Sequence, residues 1–367
     1  MRGQSTGQEA MFSYVSPASR VPTDHPLRRV RAMADAALST LSPTFDAMYS
    51  ELGRPSIPPE RLLKGQLLIA LYSVRSDRLF CEMLDYNILF RWFLDMSLDD
   101  PSFDHSSFTK NSDRLLGHRV AQKFFDAVVR QARGEGLLSD EHFTVDGTLI
   151  EAWASMKSFK PKTPGDAPSP PPDDPGNPTV DFHGERRSNA THQSTTDPAA
   201  RLMRKGAGKE AQLVFSGHVL MENRHGLCVD IRVDPATGTA ELEAALRQLK
   251  RQARRGICPK TLGGDKGYHV ADFVKRLRDR GIRPHLAQVT GRATPGLDGR
   301  TTRHDGYRIS QKIRKRVEEI FGWMKAIGGL RKTRFRGTER TGHHVLLVGA
   351  AYNLLRMTRL IPNEGAT

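Results

Sequence analysis

From residue 140 onward the chain changes its hydrophobic period in an order that few folds accept: strand, hairpin, helix, strand, helix, strand, helix. "HFTVDGTLIEAWAS" (142–155) opens with β-type residues and carries an Asp-Gly pair. "AQLVFSGHVLMENRHGLCVDIRV" (211–233) holds two β-rich runs around the turn residues Asn223 to Gly226, which predicts a hairpin. "TAELEAALRQLKRQA" predicts a helix with Thr239 as its cap and Leu242, Ala245, Leu246 and Leu249 as its apolar face. "KTLGGDKGY" predicts a short strand ending in an acid, 269–280 a helix, and "IRPHLAQV" another strand. A basic, Gly-rich loop leads to the helix containing "RKRVEEIFGWMK" (314–325), and a last helix spans roughly 341–358. One mixed sheet with helices on its faces, an α/β class, accommodates this succession.

The first third reads differently. Residues 1–23 are expected to be a flexible leader, and 24–138 a helical domain. In "PPERLLKGQLLIALYSV" a double proline suits a helix start, and apolar residues then recur at helical spacing. "FCEMLDYNILFRWFLDM" and "HRVAQKFFDAVVRQA" behave alike. Between the two halves, eight prolines fall from Pro161 to Pro178, followed by polar residues to about Asp197. Such a segment buries little apolar surface, so about 157–200 is expected to be an extended or disordered insertion within a catalytic domain spanning 139–360.

A formal charge of +15 points to a polyanionic partner, foremost nucleic acid, because Lys and Arg release condensed counterions on meeting phosphates. The longest largely apolar runs, "LLIALY" and "VLLVGAAYNLL", are too short to span a bilayer, and "MRGQSTGQEAMFSYV" lacks a signal-peptide apolar stretch. Cys81, Cys228 and Cys258 are widely spaced with no C-x-x-C, which suits a reducing, cytoplasmic setting and excludes a disulfide framework or a zinc knuckle.

Against that positive background three carboxylates stand out. Asp146 precedes Gly147 near the end of the first strand, and Asp265 ends a later strand between Gly264 and Gly267. Glycine beside a strand-end acid lets a bulky ligand approach the backbone. The plain alternative for either is a turn aspartate. The third comes from Glu318 or Glu319. At about 100° per residue, Val317, Ile313, Ile320, Phe321 and Met324 form one apolar stripe. Glu318 lies about 100° from Val317, with Arg314 and Lys325 nearby, whereas Glu319 lies about 200° round, towards water. The alternative for Glu318 is an ion pair with Arg314 worth a few tenths of a kcal/mol. Three acids together would serve phosphodiester chemistry, in which two Mg²⁺ ions about 4 Å apart activate a nucleophile and neutralise the leaving oxygen.

"VDGTLIEAWAS", "GGDKGYH" and "IRKRVEEIFGWMKAIGGLRKTRFRG" resemble the acidic motifs of bacterial insertion-sequence DDE transposases of the insertion-sequence-five type. Arg314-x3-Glu318-x6-Lys325 matches that group's spacing around its catalytic glutamate. The group usually has a Tyr three residues before this Arg, where the present sequence has Gln311. "GRPSIPPERLLKGQLLIALYSVRSDR" and "YNILFRWFLDM" resemble its helical domain. The resemblance implies a ribonuclease-H-like mixed sheet flanked by helices, preceded by the helical domain. It implies Asp146, Asp265 and Glu318 as the catalytic, metal-holding triad, with Mg²⁺ (Mn²⁺ substituting). It also implies cleavage of the element's ends and joining of the 3′-hydroxyl to target DNA. The partners implied are double-stranded DNA, as terminal inverted repeats and target, and a second copy of the chain. The place implied is the bacterial cytoplasm, at the nucleoid.

Under this reading Lys266, Arg314 and Lys325 contact phosphates near the scissile bond, and "RKTRFR" places Arg331, Lys332, Arg334 and Arg336 in a DNA-backbone strip around Phe335. "RQLKRQARR" and "KRLRDR" read as outward helix faces, "RKGAGK" as a further basic cluster, and His183, His192, His343 and His344 as surface or packing residues. Two other functions stay open: a metal-dependent DNA nuclease without strand transfer, and a non-catalytic DNA-binding or domesticated regulator.

Overall fold

The computed structural model describes residues 14–50, 52, 56–162, 180–182, 185–204, 206 and 210–362. Six principal helices come first: α1 (Pro26–Ser39), α2 (Pro59–Leu71), α3 (Asp77–Tyr86), α4 (Ile88–Phe93), α5 (His105–Gly117) and α6 (Val120–Gly134). Their starts follow local chemistry. Proline occupies the first turn of α1 and α2, where its missing N–H costs nothing. Ser76, Asn87 and Asp104 cap α3, α4 and α5 with side-chain oxygens. Gly65 in α2 lets the Phe80 and Phe108 rings pack directly on the helix, since a Cβ there would stand 2.9 Å from Phe80.

The sheet is built from β1 (His142–Glu151), β2 (Arg201–Arg204), β3 (Ala211–Glu222), β4 (Leu227–Pro235), β5 (Thr261–Gly264) and β6 (Arg283–Leu286). Its spatial order is β6-β5-β1-β3, and β3's far edge is shared by β4 and β2. β1, β5 and β6 run parallel, and β3 is antiparallel to β1 and β4. Apart from the short added strand β2, the antiparallel strands β1, β3 and β4 followed by the parallel β5 and β6, with helices between, make the ribonuclease-H-like arrangement. The later helices are α7 (Ala240–Ala253), α8 (Ala271–Arg278), α9 (Asp305–Ile313), α10 (Val317–Ala326) and α11 (Gly337–Leu360).

α11 packs on β4 and also on α6, α2 and α1. The Asn353 amide accepts from Cys228 N at 2.9 Å and donates to its carbonyl at 2.7 Å. The helical region and the sheet therefore share one continuous apolar core.

Three expectations change. The leader is ordered in its second half: Pro17–Arg20 is helical, its turn packs on α4, and Val21 is buried. Residues 1–13 lie outside the described residues, as do Lys205, Ala207, Gly208 and Lys209 of "RKGAGK", and 163–179 of the proline-rich segment. That segment is ordered at both ends. Phe159–Pro161 pairs with His192–Ser194, Ser158 and Ser194 share a buried hydrogen bond, and β2 joins the main sheet. Phe159, Ala200 and Leu202 supply the apolar burial that composition concealed. Lastly, the helix around "RKRVEEIFGWMK" is broken: Arg314–Arg316 forms a 3₁₀ turn between α9 and α10, so a uniform helical wheel does not run through it.

Candidate active site

The ladder pairs His142 with Thr261, Phe143 with Leu262 and Thr144 with Gly263. Continued in register past Gly264, it sets Asp146 beside Asp265 on the same face of the sheet. Asp265 caps the 3₁₀ turn Lys266–Tyr268, accepting from Gly267 N at 2.8 Å, and Asp146 Oδ1 accepts from Gly147 N at 2.8 Å. Glu318, exposed in the first turn of α10, adds its charge from the helical layer. Burial pushes the Asp146 carboxyl up to about 6; the charges of Asp265 and Glu318 push the same way, while the Gly147 N–H and Arg314 oppose them. The three acids thus share one field.

Arg314 lies beside them: a Cβ added to Gly263 would stand 3.2 Å from Thr144 Oγ1 and 3.4 Å from Arg314 Cβ. Its Nε donates to Gln311 Oε1 at 3.2 Å, and Gln311 Nε2 donates to the His285 carbonyl on β6 at 2.5 Å. Tyr307, one turn earlier, donates its hydroxyl to the Leu286 carbonyl at 2.7 Å. Glu319 is exposed, as expected, and pairs at the surface with Arg356 at 3.0 Å and Arg316 at 3.8 Å. Ile313, assigned to the apolar stripe, is 36% exposed. The exposure of Ile313 follows from the 3₁₀ turn, which rotates α9 relative to α10.

One residue of the site was missed. Glu241, in the first turn of α7, extends its carboxyl over Gly147: a Cβ there would stand 2.4 Å from Glu241 Oε1. Burial pushes its carboxyl up to about 7, and the charges of Asp265 and Asp146 add to that. The predicted apolar face of α7 is rotated in the fold. Leu242 and Leu246 are only partly buried, while Gln248 and Gln252 are buried. Gln248 Nε2 donates to the His218 carbonyl at 3.1 Å and Gln252 Nε2 to Asp230 Oδ2 at 2.8 Å. Two inward glutamines hide the buried stripe from hydropathy, and partly buried Glu241 stands at the end of the same face. Thr239 makes no side-chain cap; its hydroxyl is 3.4 Å from Glu243 Oε1.

The donor set is all carboxylate, which suits a hard divalent cation. Among the described residues, no three His, Cys, Asp or Glu side chains are arranged to hold an ion as they stand. Asp146 and Asp265 are partly buried and Glu318 is exposed, and a divalent cation would offset the repulsion among their charges.

The expected DNA contacts divide. Lys266, Arg331 and Arg336 are exposed, and Lys325 is partly exposed in the last turn of α10. Lys332 Nζ sits 2.6 Å from Glu151, and Arg334 is 3.1 Å from Asp77 with its guanidinium over Phe335. Arg334 thus ties the strip to α3. "RQLKRQARR" also turns partly inward, because Arg251 pairs with buried Asp230 at 2.7 Å and Arg255 pairs with Asp126 on α6. In "KRLRDR", Lys275 and Arg276 stay on the surface, paired with Asp279 and Asp272. His344 and His192 are buried packing residues; His183 lies outside the described residues.

With this geometry in hand, residues 15–114 match the family model described as "Transposase domain (DUF772)", and residues 186–354 match "Transposase DDE domain". The chain carries a transposase DDE domain behind a second transposase domain. Asp265 and Glu318 fall inside the matched spans, and Asp146 falls between them. No curated protein matches the chain. Among solved structures, a piggyBac transposase synaptic complex with hairpin DNA is similar at 9% identity and a TM-score of 0.40, covering 91% of this chain and 75% of that one. A Mos1 transposase paired-end complex is similar at 13% identity and a TM-score of 0.20, covering 77% and 81%. Likenesses this loose carry no argument about the site. No helix among the described residues is long and apolar enough to cross a membrane.

Proposed function

We propose that this chain is an active DNA transposase of the insertion-sequence-five type, which cleaves the ends of its element and joins the freed 3′-hydroxyl to target DNA. The observation that carries the reading is the register that sets Asp146, midway along β1, beside Asp265, just past the end of β5, with the charges of Glu318 and Arg314 acting on Asp146 from the late helices. Mg²⁺, or Mn²⁺ in its place, held by Asp146, Asp265 and Glu318 would supply an activated oxygen nucleophile and offset charge on the leaving oxygen.

The chain's own groups do the rest. Arg314, fixed through Gln311 to β6, directs its positive charge at a phosphate entering beside Asp146. Lys266, next to Asp265, and Lys325, in the last turn of α10, add positive charge for the phosphates, and exposed Arg331 and Arg336 for the backbone farther along. Pairing two DNA ends calls for a dimer or larger assembly on DNA.

Incubation with duplexes carrying the DNA that flanks the coding sequence, a target plasmid and Mg²⁺ tests this reading. Joined products are expected. Cleavage without joining would select a nuclease, and binding without cleavage a regulator.

A further inference from the structure

Glu241 reaches the acidic site from the layer opposite to Glu318. α7 packs on β3, β4 and β1, and its buried stripe runs through Ala244, Ala245, Gln248 and Gln252, with partly buried Glu241 at the amino-terminal end of the same face. The two glutamines anchor that stripe to backbone and to Asp230, so the rotation of α7 is fixed and Glu241 is aimed at the sheet. The strand opposite it has no side chain to meet. Gly147 leaves the gap that the Glu241 carboxyl occupies, next to Asp146. A glutamate placed only for the helix dipole would sit in water, as its neighbour Glu243 does on the exposed side of the same turn.

We propose that Glu241 is a fourth carboxylate of the ion site, holding the divalent cation directly or through bound water across the Gly147 gap. The inference rests on the transposase reading and adds to its three acids a residue contributed by α7. It gives Gly147 a defined role: any side chain there would displace the Glu241 carboxyl from its place.

The test is Mn²⁺ binding by calorimetry on the full chain without DNA, alongside thermal unfolding with and without Mn²⁺. Glu241→Gln is expected to weaken Mn²⁺ binding about tenfold and to raise the metal-free unfolding temperature by removing a repelling charge. Glu243→Gln, which removes a surface partner of Arg247, is expected to leave Mn²⁺ binding unchanged and not to raise the unfolding temperature. Gly147→Ala is expected to weaken Mn²⁺ binding like Glu241→Gln, and the double variant to lose no more than either single one. That result would persist even where Glu241→Gln perturbs folding, because the residue itself is kept in Gly147→Ala. Full Mn²⁺ affinity in Glu241→Gln, with Asp146→Asn losing it, would overturn the inference and leave the three-acid reading standing. No Mn²⁺ binding by the unaltered chain would overturn both.

Discussion

Arg314 Nε and Gln311 Oε1 lie 3.2 Å apart, and the other end of the same amide donates to the His285 carbonyl at 2.5 Å. Gln311 is therefore a strut between the rim of β6 and the guanidinium beside Asp146. The donor to His285 must be the amide nitrogen, which leaves only the oxygen for Arg314.

Gln311→Leu keeps the volume of the strut and removes both bonds. Cleavage of end-bearing DNA should slow by between about tenfold and a hundredfold, as expected for a misplaced positioning group. DNA affinity, measured by filter binding, should stay close to that of the unaltered chain. A proportional loss of affinity would mean that Gln311 acts in binding and not in placing Arg314.

The cations of "RKTRFR" should separate into two kinds. Arg331→Ala and Arg336→Ala should each weaken DNA binding and lower the slope of log affinity against log salt by about 1. Arg334→Ala should instead lower stability by about 2 kcal/mol, because it leaves Asp77 without its charged hydrogen-bond partner between α3 and the core. Urea unfolding and a salt titration on the same three variants distinguish the two effects.

Stability should fall on mild acidification. Burial and the Arg334 charge push His344 down to about 3, and burial pushes His343 to about 4. The unfolded imidazoles take up protons near pH 6.5, and the folded ones do so only below about 4. Between those values the unfolded chain binds more protons, so stability drops as pH falls, by about 1.4 kcal/mol per pH unit for each histidine. Both line the seam between α2 and α11, facing Asp77, Asp113, Arg334 and Arg340. Thermal unfolding from pH 7 to pH 5 should show the loss, and His344→Phe should reduce it.

Much of this was legible in the chain because the relevant signals are local. The hairpin turn after β3, the strand ending at Asp265 and the apolar stripe of α10 are each set by a few adjacent residues. The Asp146–Asp265 neighbourhood followed from the element order, because the two parallel strands start together at His142 and Thr261, although Asp146 lies midway along β1 and not near its end. Glu241 was not legible: the face that buries it is completed by Gln248 and Gln252, whose burial depends on β-strand acceptors far away in sequence. The 3₁₀ break at Arg314 escaped the helical wheel for a similar reason, and with it the exposure of Ile313. Arg334 read as a DNA contact because Asp77, its partner, is 257 residues away.

The most direct measurement is single-turnover cleavage of an end-bearing duplex in Mg²⁺ by Asp146→Asn, Asp265→Asn, Glu318→Gln and Glu319→Gln, each shown to be folded. The first three should lose cleavage while still binding DNA, and Glu319→Gln should retain it with a lower unfolding temperature. Cleavage surviving in any of the first three, or lost equally in Glu319→Gln, would contradict the assignment of Asp146, Asp265 and Glu318 as one site.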